Sequence, residues 1–322
     1  MDAPVAVITI NWNGADMTLR CLAALRATLG ASWHLYVVDN ASTDGSADHL
    51  AGALDGARDA TLIRSPVNAG WTGGNNLGIA RALADGYDAL FILNTDAFVR
   101  PDTLAQLLAV ADTHAQAGAA PVLGPVHVGA GSARYDFRVA HREEKTGIPV
   151  WTAAEDWGEE TRQPTWPTAY ISGAGIFASR GHFDAVGLFD DRFFLNFDDT
   201  DWCTRAQAAG FPLLMVRDAA IDHVGSASIG GVMSPLQTYF LTRNRLLYAE
   251  KHRPVVDRLR LARRQWWRAR DLGRGHALRM LLPQRDPVAH AFRRGVLDYL
   301  ARRFGDCPAS IRAAQARARR AA

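Results

Sequence analysis

The sequence predicts an α/β fold: a mostly parallel central sheet with helices on both faces, followed by a helical C-terminal extension. Three observations carry this. Short apolar runs rich in β-branched residues alternate with stretches of helical periodicity. Those runs are continuous rather than alternating, which is the pattern of strands covered on both faces. From residue 235 onward the pattern is helical, with Pro254 and Pro283 as breaks.

Residues 5–10 (VAVITI) read as the first buried strand, and 16–28 place apolar residues at helical spacing. Residues 35–38 (LYVV) form a second strand that stops at Asp39, and NASTDGS is turn chemistry, with Thr43 or Ser46 suited to cap the next helix. A third, shorter strand lies at 61–64. The stretch VNAGWTGGNNLG reads as a Gly/Asn-rich loop entering a helix at 76–84. Residues 89–93 (ALFIL) are a fourth strand, and Pro101 opens an amphipathic helix over 102–114. Residues 130–168, rich in Trp, Pro, Gly and charge, read as a long loop or small hairpin insert. A strand is expected at 170–178, a helix from about 180, a carboxylate-rich loop entering a helix near Trp202 that Gly210 closes, and a short strand at 213–216 with His223 in the loop beyond it.

The chain has 322 residues, 48% of them hydrophobic, enough for a large core. Its three cysteines (Cys21, Cys203, Cys307) lack CxxC spacing, against a disulfide framework or zinc site and in keeping with a reducing, cytoplasmic setting. The N-terminal MDAPVAVITI has no basic region before its apolar run, so no signal peptide is expected, and no apolar run reaches the roughly 18 residues of a membrane span. The net charge of +3 hides an asymmetry. Residues 251–322 hold 19 Lys and Arg against 5 Asp and Glu, a net +14, whereas the other 250 residues hold 17 against 28, a net −11. An acidic body with a basic tail suggests two jobs.

In parallel sheets ligands bind beyond the carboxyl ends of the strands. Here those ends carry Asn11-Trp12-Asn13, Asp39 and Asn94-Thr95-Asp96. A carboxylate after a buried strand can hold Mg²⁺ or Mn²⁺ against a diphosphate, or simply form a turn or helix cap. Asp39 can accept from the N3–H of a uracil or thymine, or start the Asx-turn of NASTDGS. The glycines Gly70, Gly73, Gly74 and Gly78 allow close backbone approach, and the following helix N-terminus suits phosphate, but the stretch is neither GxGxxG nor GxxxxGKS. Asp198-Asp199-Thr200-Asp201 puts three carboxylates in four residues. Asp201 suits helix N-terminal charge, while the preceding FFLNF suggests a semi-buried site in which one carboxyl pKa rises toward that of a useful base. His223 is either structural or a third metal ligand, if its loop folds back.

Taken together, VITINWNG, VVDNASTDGS, NAGWTGGNNLGIA, FILNTD, ISGAGIFASR, GLFDDRFFLNFDDTDWCTRAQAAGF, DHVGSAS and TRNRLLY resemble the family 2 glycosyltransferases of the GT-A fold, and among them the rhamnosyltransferase-like branch, over roughly residues 4–250. The resemblance implies a nucleotide-sugar-binding catalytic domain at 1–250 and a basic helical extension at 251–322. It implies an inverting, Mg²⁺- or Mn²⁺-dependent transfer from a dTDP- or UDP-sugar, dTDP-rhamnose first, to a glycan or lipid-linked acceptor in cell-surface polysaccharide synthesis. By the same resemblance Asn11 and Asp39 line the nucleoside pocket, and Gly73, Gly74 and Asn76 lie near the diphosphate. Asn94 and Asp96 form the DxD-type motif with Asp96 on the metal, and His223 completes the metal site. Asp199 is the base, with Asp198 in the position the family usually gives to Glu. Trp202, Arg243 and Asn244 are assigned to the acceptor side. The sequence departs from the family pattern at Asn94, which replaces the first Asp of DxD, and at Asp198.

Residues 255–282 mix Arg with Val, Leu, Trp266 and Trp267. Such a helix fits peripheral contact with the inner face of an anionic membrane, packing on the catalytic domain, or contact with a second copy. No nucleic-acid-binding module is present in the sequence pattern. A nucleotidyltransferase would carry a Gly-rich signature with basic residues near the first strand, which NWNGADM lacks, and a binding protein that had lost its chemistry would not keep Asp96, Asp199 and His223. A processive membrane polymerase would need spans.

Overall fold

The computed structural model describes residues 4–129, 140–142, 148–151, 159–224, 234–273 and 275–321. The elements run β1 (Val5–Asn11), α1 (Ala15–Arg26), β2 (Trp33–Asp39), α2 (Ser46–Ala53), β3 (Ala60–Arg64), α3 (Gly70–Ala84), β4 (Ala89–Leu93), β5 (Ala97–Val99), α4 (Thr103–Gln116) and β6 (Val122–Gly129). They continue with β7 (Ala140–Arg142), β8 (Pro149–Trp151), β9 (Thr165–Pro167), β10 (Gly175–Ser179), α5 (Arg180–Val186), α6 (Asp198–Ala208) and β11 (Leu213–His223). Four further helices follow: α7 (Pro235–His252), α8 (Val255–Leu272), α9 (Pro287–Leu300) and α10 (Ala309–Ala321), with a 3₁₀ turn at Ala277–Leu281.

By contacts the chain forms two compact units, Met1–His141 with Val150–Asp190 and Asp198–Gly225, and Arg142–Pro149 with Asp191–Phe197 and Ser226–Ala322. The first contains a sheet of order β3-β2-β1-β4-β10-β6-β11-β5, with β9 paired to β11. β3, β2, β1 and β4 are parallel neighbours, as are β6 and β11, while β10 runs antiparallel between β4 and β6. β7 and β8 pair separately, within the stretch expected to hold a hairpin insert.

Alternation along the central strands explains the two-sided cover. Val5, Val7, Leu35, Val37, Phe91 and Leu93 join one core with residues of α1, α2 and α4. Ala6, Ile8, Tyr36, Leu90 and Ile92 join the opposite core with α3, α5 and α6. Both faces being apolar is why these strands read as unbroken runs.

Four elements depart from the sequence reading. α3 begins at Gly70, so the glycine stretch is the first half of a helix and not a loop. Its glycines are demanded by packing: a Cβ on Gly78 would stand 2.5 Å from Ile8 Cγ2, and one on Gly74 3.0 Å from Ile10 Cδ1. α6 begins at Asp198, four residues before Trp202. The strand expected at 170–178 is confined to Gly175–Ser179, because a turn closed by Gly175 N–H to Ser172 O precedes it. β11 continues past a register shift between Val216 and Ala220, so His223 ends a strand rather than sitting in a loop.

In the second unit α7 packs closely on α9, where Gly295 leaves room: a Cβ there would stand 2.8 Å from Tyr239 O. The buried Arg243 and Asn244 hold the loop Asp191–Phe197. Arg243 donates to Gly305 O at 2.6 Å and Phe193 O at 3.0 Å. Asn244 Nδ2 lies 2.8, 2.8 and 2.9 Å from the carbonyl oxygens of Phe193, Leu195 and Asn196. Phe194, Asn196 and Phe197 take positive φ of 65°, 65° and 68°, a conformation non-glycine residues adopt only under such restraint.

Candidate functional site

The parallel register β2-β1-β4 brings three strand ends to one edge of the sheet. Asn11 lies opposite Asp39 in the β1–β2 register, and Asn94 directly follows β4. Asn11 donates to Asp39 Oδ1 at 2.7 Å and accepts from Thr18 at 2.9 Å, while the Ser42 N–H donates to Asp39 Oδ2 at 3.1 Å. Both residues are buried, so Asn11 orients Asp39 and leaves the remaining acceptor capacity of that carboxylate to face a ligand.

Asp96 and His223, 127 positions apart in sequence, are brought together by the backbone. β5 and β11 pair antiparallel with His223 opposite Ala97, and the Val224 N–H donates to Asp96 O at 2.9 Å. Asp96 Oδ1 and His223 Nε2 stand 3.5 Å apart, each about a quarter exposed (24% and 25%). His127, buried on β6, sets its ring edge-to-face against His223 at 5.4 Å, and burial, then His223, pushes its pKa well below the ordinary value. One carboxylate and one imidazole, both partly accessible, are a donor pair that could hold a divalent cation. Among the described residues no three His, Cys, Asp or Glu cluster where they could hold a metal ion.

Asp198 and Asp199 open α6 in contrasting environments. Asp199 is partly accessible: Oδ2 accepts from the Gly173 N–H at 2.9 Å, and Oδ1 from the Thr200 N–H at 2.6 Å and its hydroxyl at 3.1 Å. Burial raises its pKa, and these donors restrain the rise. Asp198 is buried, its Oδ2 has no hydrogen-bond partner among the described residues, and burial and then the charge of Asp199 push its carboxyl well above the usual range. Asp198 is thus the more deeply buried member of the pair, with its carboxyl pushed well up, and Asp199 the more accessible one.

A relay of contacts ties Asp199 to the end of β4. Trp71 Nε1–H donates to Asn94 Oδ1 at 2.8 Å. The Trp71 ring lies against Gly173, where a Cβ would stand 2.6 Å from its Cζ2, and Gly173 supplies the N–H to Asp199. Trp71 and Gly173 were not singled out from sequence. A backbone N–H leaves no mark in composition, though an exceptional tryptophan among glycines in NAGWTGG was available as a signal.

Several assigned side chains have other work. The Asn76 amide, expected near the diphosphate, both donates to Phe189 O (2.9 Å) and accepts from Phe189 N–H (3.0 Å), clamping that loop. Gly74 faces the sheet, and Gly73 lies within the first turns of α3. Trp202, expected on the acceptor side, is fully buried and donates to Gly187 O at 2.8 Å. Arg243 and Asn244 are likewise fully buried, holding loop carbonyls instead of meeting an acceptor. Asp201 is buried and ion-paired to Arg205 at 2.9 Å.

Residues 6–185 match the model of the family described as Glycosyl transferase family 2. Over 268 residues the chain is 24% identical to the dTDP-rhamnosyl transferase RfbF of Shigella flexneri, covering 81% of this chain and 85% of that one. It is 25% identical over 244 residues to the N-acetylglucosaminyl-diphospho-decaprenol L-rhamnosyltransferase of Mycobacterium tuberculosis, covering 70% of this chain and 77% of the relative. Among solved structures it resembles the mannosyltransferase PcManGT of Pyrobaculum calidifontis in complex with GDP-Man and Mn²⁺, with TM-score 0.55 and 18% identity over 99% of this chain and 80% of that one.

Proposed function

Because the chain belongs to glycosyl transferase family 2 and is a glycosyltransferase of GT-A fold, we propose that it catalyses an inverting, metal-dependent transfer of rhamnose from dTDP-rhamnose to a hydroxyl of a glycan or lipid-linked acceptor in cell-surface polysaccharide assembly. The observation that carries this reading is the convergence on one sheet edge of Asp39, the Asp96–His223 pair and Asp199, the last tied to Asn94 through Trp71 and Gly173.

Asp39, held by Asn11, accepts the N3–H of the thymine ring. Asp96 and His223 hold Mg²⁺ or Mn²⁺, which when bound offsets the charge on the diphosphate. Asp199 takes the proton of the acceptor hydroxyl, whose oxygen forms a bond to the anomeric carbon as the bond from that carbon to the diphosphate oxygen breaks. The electron pair leaves with the nucleoside diphosphate, and a single displacement inverts the centre. Asp198, whose carboxyl burial pushes well up, disfavours a second adjacent charge beside Asp199. A UDP-sugar donor is the second reading, since uracil offers the same N3–H to Asp39.

No helix among the described residues is long and apolar enough to cross a membrane. We place the enzyme in the cytoplasm, in peripheral contact with the inner membrane face where a lipid-linked acceptor would be presented. A thermal-shift panel of dTDP-, UDP- and GDP-sugars with Mg²⁺, Mn²⁺ or EDTA tests the donor assignment. Stabilisation by dTDP-rhamnose only with metal is expected; stabilisation by a GDP-sugar alone overturns it.

A further inference from the structure

Seven of the fourteen exposed large hydrophobics among the described residues fall within 255–282, on α8 and the 3₁₀ turn beside it. α8 has two apolar faces. Asp257, Leu261 and Gln265 recur every four residues and are buried, and contacts to α7 and α9 occupy this side. Val255, Leu259, Ala262 and Trp266 recur at i, i+4, i+7 and i+11 and form a second stripe, about 130° around the helix from the first. That second stripe is open: Leu259 is 65% exposed and Trp266 54%. Trp267, about 110° from the centre of the stripe and 46% exposed, and Leu278 and Leu282 in and just after the neighbouring turn, 66% and 64% exposed, add further exposed apolar side chains to this part of the chain.

The charge around this stripe selects its occupant. α8 carries six arginines against two aspartates, and one of the two, Asp257, is already paired with Arg253 at 2.8 Å and Arg260 at 3.0 Å. Arg263 and Arg270 follow the edge of the stripe, and Arg270 lies over the Trp267 ring at 5.1 Å. A second copy of the chain would bring arginine rows together with only Asp271 to offset them, which costs rather than favours association. An apolar stripe with indole rings, flanked by arginines, suits the headgroup layer of an anionic bilayer: apolar side chains enter the acyl boundary, tryptophans sit at the interface, and guanidinium groups meet lipid phosphates.

We propose that the open face of α8 and its neighbouring turn is a docking surface for an anionic lipid bilayer. The contact is in-plane and reversible, and it is independent of which sugar the enzyme transfers. The test is co-sedimentation of the full chain with vesicles of phosphatidylcholine alone or with about 30% phosphatidylglycerol, at low and high salt. Binding to the anionic vesicles that weakens with salt is expected. The double variant Leu259→Glu/Trp266→Ser lowers the partition coefficient at least about tenfold, and Arg263→Gln about fivefold. Leu300→Glu, an exposed apolar position outside the stripe, leaves it unchanged. All these sites are on the surface, so circular dichroism melts match the wild type. Equal partition to neutral and anionic vesicles, or stripe variants that bind as the wild type does, overturns the proposal. So does a dimer in light scattering that the stripe variants dissolve, which would make a second copy the occupant.

Discussion

Replacing Asp199 by asparagine isolates the chemistry of the site from its architecture. In the wild type three donors converge on this carboxylate, the Gly173 N–H and the two donors of Thr200. If the asparagine oxygen keeps the Thr200 donors, its amide nitrogen faces the Gly173 N–H, and one donor loses its acceptor at a cost of about 1–3 kcal/mol. Removing a charge whose pKa burial has raised works in the opposite direction, so the variant folds with a melting temperature within a few degrees of wild type. Catalysis has no such compensation. Loss of a general base costs about 10²–10⁴ in kcat, equivalent to roughly 3–5 kcal/mol of transition-state stabilisation. The assay is steady-state transfer from the donor identified by thermal shift, across pH. In the wild type kcat/KM rises with pH through an inflection above the ordinary carboxylate range, because the base acts only when ionised; in D199N that inflection is gone. The matched control is Asp198→Asn, which replaces a carboxyl whose ionisation burial disfavours and keeps most of the activity. Transfer by D199N within tenfold of wild type, or a larger loss in D198N than in D199N, refutes the assignment of roles.

The same pair yields a stability prediction. Burial raises both folded-state pKa values, so the folded chain holds extra protons above the ordinary carboxylate range, and the associated stability, present below the unfolded pKa, is lost as pH rises through the folded pKa; D198N therefore loses less stability than wild type in urea melts as the pH is raised above the ordinary carboxylate range. Asp96→Ala weakens Mn²⁺-dependent nucleotide binding by at least about tenfold in calorimetry while binding in EDTA is unchanged; equal loss in both conditions would refute the metal role. Gly78→Ala drives a methyl into Ile8, itself fixed in β1 between two cores, and lowers stability by about 1–3 kcal/mol in denaturant melts. Asn244→Ala leaves three loop carbonyls without their shared donor and costs about 2–4 kcal/mol, with kcat falling because the loop leads directly into Asp198.

β1, β2 and β4 were legible because each is a continuous apolar run bounded by polar residues. β6 was not, because Gly124, Pro125 and His127 break its apolar pattern although nearly all of it is buried. β5 has three residues, too few for periodicity. The start of α3 was hidden by glycines, which local propensity assigns to loops and which close packing on Ile8 and Ile10 requires. At the site, carboxylates at strand and helix ends announced themselves by type and position. The meeting of Asp96 with His223 depends on strand pairing across 127 positions, so the residues alone offered it only as a condition, that the loop carrying His223 folds back, and the resemblance implied it. FFLNF announced a semi-buried pair, but which of Asp198 and Asp199 lies deeper depends on tertiary packing that no local pattern encodes. Trp202, Arg243 and Asn244, assigned to the acceptor side, are buried braces in the structure: a large polar or aromatic side chain in a motif serves equally well as an internal support.

The hold of Asn244 and Arg243 on Asp191–Phe197 has a consequence for how this protein can change over generations. Two phenylalanines and an asparagine are kept in a left-handed backbone by side chains from a helix some fifty positions downstream. Neither partner can drift alone. A substitution in the FFLNF loop that shifts its carbonyls strands the amide of Asn244, and a change at 244 releases the loop. The two segments are thus coupled energetically, so that a substitution in the loop and one at 244 are non-additive in a double-mutant cycle.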